Sequence, residues 1–248
     1  MQLQLSTWPE VEDYLSRSTG IIIPIGSTEQ HGPNGLLGTD AICPETIARG
    51  VAEHVEVLIG PTLHVGMAQH HLAFPGTIAL RPSTLMALVN DVVLSLQRHG
   101  FDRIYFLNGH GGNGDTVRAA FSELHAQTSL GLRKGERPLR CTLRNWWTGR
   151  GIKRLSAELF GRAEGSHATP SEVSLSYFAH PEAVKHATME PKLAPTGAFH
   201  DAEDFRRRFP DGRMGSDPSL ATVEAGERIY RVAVEDTLED YRAFVGPD

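Results

Sequence analysis

The sequence predicts an α/β fold built on a largely parallel sheet covered on both faces. Two observations predict it. Apolar runs alternate with stretches of helical period along the chain. Each run, such as Ile21-Ile22-Ile23-Pro24-Ile25 or Arg103–Leu107 (RIYFL), also lacks the in-and-out alternation of a half-solvated strand. Ligands in such sheets bind beyond the carboxyl ends of the strands. The loops after Ile25, Leu107 and Asn145 are therefore expected to share one face.

Taken in order, Ser6 or Thr7 can cap a short helix with Pro9 in its first turn, running to about Ser16. The isoleucine strand breaks at Gly26 into a polar loop ending at Asp40. Ile42 to about His54 has helical spacing, and Val57–Ile59 is a short strand ended by Gly60-Pro61. The following Gly- and His-rich segment reads as a loop over a site, with Thr77–Leu80 a possible strand. Ser83 to His99 is an amphipathic helix, with Ser83 as cap and Gly100 as stop. The RIYFL strand runs into NGHGGNGD and a helix from about Asp115 to Gln127. Arg140–Asn145 is a further strand, followed by Trp146-Trp147. Ile152–Phe160 is helical, and EGSHATPSE enters a helix at Pro170 or Ser171 that ends near Pro181. Lys185 to Ser219 reads as coil. Thr222 to Phe244 is a last amphipathic helix.

The chain has 248 residues, which suits one large α/β domain or two small ones; no interdomain linker is visible, so a single domain over 1–248 is the expectation. A net charge of -6 gives no general attraction for nucleic acid or an anionic membrane. Arg206–Arg208 is flanked by acids and reads as a solvated face. No stretch is apolar and long enough to span a membrane, and MQLQLSTWPE is not a signal peptide, so a cytoplasmic protein is the expectation. Cys43 and Cys141 form no CxxC and read as buried thiols.

Three constellations carry chemistry. Glu29, His31 and Asp40 project from the glycine-rich loop after the first strand, a donor set suited to a divalent metal. Asp40 could equally cap the helix that follows. His110 follows a second strand between glycines. Gly109, Gly111 and Gly114 also spell the dinucleotide fingerprint, but the next strand ends at Asn145-Trp146 without the expected acid. His167 and Glu172 form the third group. Glu172 could be a helix-terminus acid or a metal ligand, and His167 a proton carrier. His64, His70 and His71 could line a pocket or lie at the surface, and Trp147 is a candidate substrate wall.

GSTEQHGPNGLLGTD, FPGT, NGHGGN and GSHATPSEVS, in this order from about Ile21 to Ser176, resemble the creatininase family of metal-dependent amidohydrolases. The resemblance implies an α/β/α three-layer sandwich, two divalent ions (Zn, Mn or Fe), and hydrolysis of a small amide, cyclic amide or formamide. It also implies a homo-oligomer, often a hexamer. Carried over by position, it assigns Glu29, His31, Asp40, His110 and Glu172 as ligands, with Asp40 bridging the ions, which hold a hydroxide. His167 matches the catalytic histidine that protonates the departing nitrogen. Trp147 matches an active-site tryptophan and, with Ser166 and His70, is expected to contact substrate. Creatininase proper has a metal-binding glutamate where this chain has Gly112, a tryptophan at Ala163 and an acid at Ser166. Asn34 stands where many relatives have histidine. These departures argue against creatinine itself. A non-catalytic metal- or nucleotide-binding module and a phosphoester hydrolase are the rival readings. Few Lys or Arg stand in the presumed pocket loops to hold a phosphate.

Overall fold

The computed structural model describes residues 1–132 and 138–246. Four parallel strands form one sheet: β1 (Gly20–Ile25), β2 (Leu58–Ile59), β3 (Arg103–Asn108) and β4 (Arg140–Asn145). Their spatial order is β2-β1-β3-β4. Ile25 is in register with Asn108, and Asn108 with Asn145. The three loops that carry the sequence motifs thus leave the sheet at one level.

Helices cover both faces. On one face α1 (Trp8–Leu15), α3 (Pro82–His99) and α4 (Gly114–Ser129) pack on Ile21, Ile23, Ile25, Ile104 and Phe106. On the other, α2 (Thr39–Val51), α5 (Arg150–Phe160), α6 (Pro170–Ala179) and α8 (Val223–Val245) pack on Ile22, Tyr105 and Leu107. Burial on both sides is why the strands show no alternation. The α3 stripe of Leu85, Val89, Val93 and Leu96 is fully covered; at about 1.5–3 kcal/mol per side chain, its burial is a substantial share of what fixes this layer.

Several boundaries differ from the sequence reading. Helix α2 begins at Thr39, so Asp40 lies in its first turn, where its carboxylate faces the positive helix end. Helix α3 starts at Pro82 with Arg81 at its N-cap, and Ser83 makes no capping bond. Gly100 does stop it, at φ 110°. Thr77–Leu80 is not a strand; only the isolated bridges of Ile78 to Thr28 and Ala79 to Gly66 form there. The segment read as coil contains α7 (Ala202–Arg208), capped by Asp201 accepting from the Asp204 N–H at 2.8 Å. Arg207 and Arg208 pair with Asp204, and Arg206 lies 4.1 Å over the Phe74 ring. Cys43 is buried but Cys141 only half-buried, and both are free thiols.

Candidate metal centre

The loop after β1 places Glu29 and His31, and the first turn of α2 places Asp40. His110 comes from the loop after β3, and Glu172 from the first turn of α6. Close backbone approach brings these loops together. A side chain at Gly109 or Gly26 would strike the backbone of Asp40, so Gly109 serves loop packing, whereas a side chain at Gly111 would meet nothing within 4 Å.

Three sets of ligand atoms converge within 4.8 Å: Glu29 with Asp40 and His110, His31 with Asp40 and Glu172, and Glu29 with His31 and His167. Asp40 belongs to the first two sets, one oxygen toward each histidine: Oδ1 lies 3.0 Å from His31 Nε2, and Oδ2 lies 3.0 Å from His110 Nδ1. All five proposed ligands are therefore brought together.

Each ligand histidine is oriented by its other nitrogen. His110 Nε2–H donates to the Met67 carbonyl at 2.9 Å, and His31 Nδ1–H donates to the Glu29 carbonyl at 3.1 Å. Those bonds leave His110 Nδ1 and His31 Nε2 as lone-pair donors aimed at the carboxylates, the usual second-shell arrangement of a metal site. Both oxygens of Glu29 and Oδ2 of Asp40 are buried without a hydrogen-bond partner among the described residues. His110 Nδ1 and His71 Nε2 approach them at 3.0–3.3 Å but are not aligned as hydrogen-bond donors. Buried carboxylate oxygens crowded against imidazole nitrogens are costly unless a cation, bound metal or imidazolium, satisfies them. The residues present fit divalent metal.

The titration behaviour reflects the same crowding. In the metal-free protein burial alone would lower His31 and His110. The surrounding carboxylates outweigh it, Asp40 foremost for His31 and Glu29 foremost for His110, raising them to about 10 and about 9. Burial would raise Asp40, but the two histidines hold it below the usual carboxylate range. Glu172 is raised to about 7, by burial first and then Asp40, against the opposing pull of His31. Protons thus compete with metal for this site.

Glu172 serves two ends. Its Oε1 accepts the Thr169 N–H at 2.5 Å in a capping box, and the same oxygen lies 3.9 Å from His31 Nε2. Its position is compatible with both the helix-terminus and the metal reading. Gly112 has its own reason to be glycine: a side chain there would meet His110 Nε2 and the Met67 carbonyl, the two ends of the bond that orients His110.

His167 sits at the edge of the cluster, Nδ1 at 3.8 Å from Glu29 Oε1. Its Nε2 meets the Gln30 carbonyl at 2.9 Å. The Gln30 amide nitrogen lies 2.8–2.9 Å from the Gly212 carbonyl, His71 Nδ1 and His167 Nε2, with only two protons to give. One assignment gives every N–H an acceptor, with no hydrogen bond between the Gln30 amide and His167 Nε2. His167 Nε2–H donates to the Gln30 carbonyl, the amide donates to Gly212 and His71, and His167 Nδ1 is left as a lone pair facing the cluster. Burial, then His71 and His31, hold His167 well below its ordinary pKa, so it is neutral. The next residue, Ala168, has φ 52°, a strained left-handed conformation at the turn that carries the histidine.

A cleft of about 480 Å³ opens onto Asp40, His110, His167 and Glu172. Trp147 and Ser166 line it, whereas His70 does not. His70 stands behind the cluster, stacked on Phe199 at 4.9 Å and 6.3 Å from the His110 ring, where aromatic packing takes its imidazole away from the cleft. Sequence reasoning missed Gln30, Lys153, Glu164, Phe205 and Arg213. Arg213 is fully buried, binding the carbonyls of Pro191, Lys192 and Ser216. It secures the strip that pairs Met214 with His167. Only Gln30 carried a signal, its place inside the first motif.

A family profile described as "Creatininase: Creatinine amidohydrolase" matches residues 4–240. The chain belongs to the creatininase family. It is similar to a creatinine amidohydrolase of Pseudomonas putida, 33% identical over 95% of this chain and 94% of that protein. It is also similar to a mycofactocin precursor peptide peptidase of Mycobacterium ulcerans (strain Agy99), 30% identical over 98% and 89%. A zinc–zinc form of a mutant creatininase shares the fold, with a TM-score of 0.85 at 24% identity over 99% of this chain and 98% of the other. Membership makes this chain a creatininase-family amidohydrolase with a candidate metal site. Among the described residues no helix is long and apolar enough to cross a membrane.

Proposed function

We propose that the protein is a metal-dependent hydrolase that cleaves the C–N bond of a small amide, cyclic amide or formamide. The observation that carries this reading is the pair of ligand triads sharing Asp40, with His167 beside them in an open cleft. Glu29, Asp40 and His110 would hold one divalent ion, and His31, Asp40 and Glu172 the other. When bound, such ions polarise a carbonyl and lower the pKa of water from about 15.7 toward about 7. Zinc, manganese and iron all suit these nitrogen and oxygen donors.

In this reading His167 transfers the protons. Neutral at rest and anchored through Nε2–H, it offers Nδ1 to the attacking water. The protonated ring then gives that proton to the departing nitrogen, which needs it because an amide anion leaves poorly. Its backbone strap to Met214 fixes the turn that carries it. Trp147 forms an apolar side of the cleft, and Ser166 presents a hydroxyl at its edge.

A peptide-trimming activity is the second reading, on the strength of the peptidase relative. We further propose a homo-oligomer, possibly a hexamer as the resemblance implies, which light scattering would test. The test of function is a panel of formamides, small amides, cyclic amides and short peptides assayed before and after chelation. Hydrolysis that stops on chelation and returns with zinc or manganese supports the reading. Hydrolysis indifferent to chelator, or none on any member with metal bound, contradicts it.

A further inference from the structure

The cleft has a second chemical character away from the ligands. Its α5 wall presents Lys153, Ser156 and Ala157, spaced three and four apart and so on one side of the helix. The Lys153 ammonium has no ion pair, and Ser156 Oγ no hydrogen bond, among the described residues. Trp146, beside them in the lining, is 3% exposed, and its indole N–H is buried with no partner. These unpartnered groups are all able to donate, and one is a cation. A buried unpaired indole N–H costs free energy unless something accepts from it.

Glu164 is the acid in the same lining. Its Oε1 is held by the Ser171 hydroxyl, its Oε2 is buried without a partner and can accept from the same donors, and it makes no ion pair with Lys153 among the described residues. Burial raises its pKa, against the pull of the Ser171 hydrogen bonds.

We propose that the α5 side of the cleft is a carboxylate subsite. In it Lys153 pairs with an anionic carboxylate of the substrate while Ser156 and the Trp146 N–H donate to it and Trp147 flanks the substrate body. The inference rests on the hydrolase reading and narrows it: the scissile amide belongs to a molecule with a nearby carboxylate, either an N-acyl amino acid or the carboxyl end of a short peptide. A cleft of this size accommodates either.

Equilibrium binding to the zinc-loaded protein, read by tryptophan fluorescence and calorimetry, tests this without requiring turnover. The probes are N-acetyl-L-phenylalanine with its carboxamide, and an acetylated tetrapeptide with its carboxamide. In at least one pair the free acid is expected to bind about tenfold more tightly than the amide, the worth of one charge-assisted hydrogen bond. Which pair shows the preference identifies the source of the carboxylate. Lys153→Met should abolish the preference and Lys153→Arg keep it, with zinc content unchanged in both. Acid and amide binding alike, neither probe binding, or a preference that persists in Lys153→Met because the ions themselves hold the carboxylate, would overturn the subsite. Failure of the hydrolase reading is seen separately, as an intact binding preference without chelator-sensitive cleavage.

Discussion

Replacing Gly112 tests how the centre is held. A Cβ at this position would meet His110 Nε2 and the Met67 carbonyl, which are 2.9 Å apart and joined by the hydrogen bond that fixes the ring. Gly112→Ala must break or bend that bond. His110 then loses the partner that keeps Nδ1 pointed at Asp40 and Glu29. Loss of such an outer partner costs about 10–100-fold in metal affinity, or roughly 1.4–2.7 kcal/mol. Gly112→Glu, which restores the residue type of creatininase proper, carries the same Cβ and should also weaken binding here, because Glu172 already completes the second triad. The assay is competition for zinc against a chromophoric chelator, with circular dichroism to confirm folding. If Gly112→Ala binds zinc as tightly as the parent, or Gly112→Glu binds it more tightly, the account of Gly112 and Glu172 is wrong.

Other expectations follow from the same geometry. His167→Ala should keep its metal content but lose about 10²–10⁴-fold in kcat on whichever substrate the panel identifies, since only proton transfer is removed; unchanged turnover would exclude His167 as the proton carrier. Arg213→Met leaves the buried Ser216 carbonyl, the Pro191 and Lys192 carbonyls and Asp211 without their partner and should lower urea stability by about 1–3 kcal/mol. A change below about 1 kcal/mol would show that the strip over His167 is held otherwise. Burial and then His71 lower His70 to about 4, against about 6.5 for an unfolded imidazole. The unfolded chain therefore binds the extra proton between these values, and the stability owed to neutral His70 is full above pH 6.5 and lost as pH falls toward 4. Metal-free wild type should lose about 2 kcal/mol more than His70→Phe over that window, after discounting for partial exposure. Glu172, raised to about 7, works in the opposite direction but equally in both proteins. Parallel stability curves would show that His70 is not desolvated.

Much of this was legible in the sequence because the strands are short, apolar and buried on both faces. The run Ile21–Ile25 and the RIYFL strand could be read directly, and parallel pairing then forced the loops after Ile25 and Leu107 to meet. Glu29, His31, Asp40 and His110 were readable for that reason. Residues whose role comes from long-range contact were not. Arg213 lies in a charged, Pro- and Gly-rich tract, and nothing local says that its guanidinium is buried under three carbonyls. Helix α7 is only seven residues long, too short for a periodic signal, and its Phe205 became visible only on packing against His71 at 4.6 Å. His70 was expected in the pocket because it neighbours a Gly-rich loop. The 3-10 turn at Gln69–His71 instead sends His71 toward Glu29 and His70 toward Phe199.

Metal stoichiometry by elemental analysis, on the wild type and on Asp40→Ala, bears most directly on the whole account. Each chain should carry two divalent ions that a chelator removes, and Asp40→Ala should retain neither tightly, because one carboxylate completes both triads. A wild type that takes up no divalent metal, or an Asp40→Ala protein that keeps both ions, would contradict it.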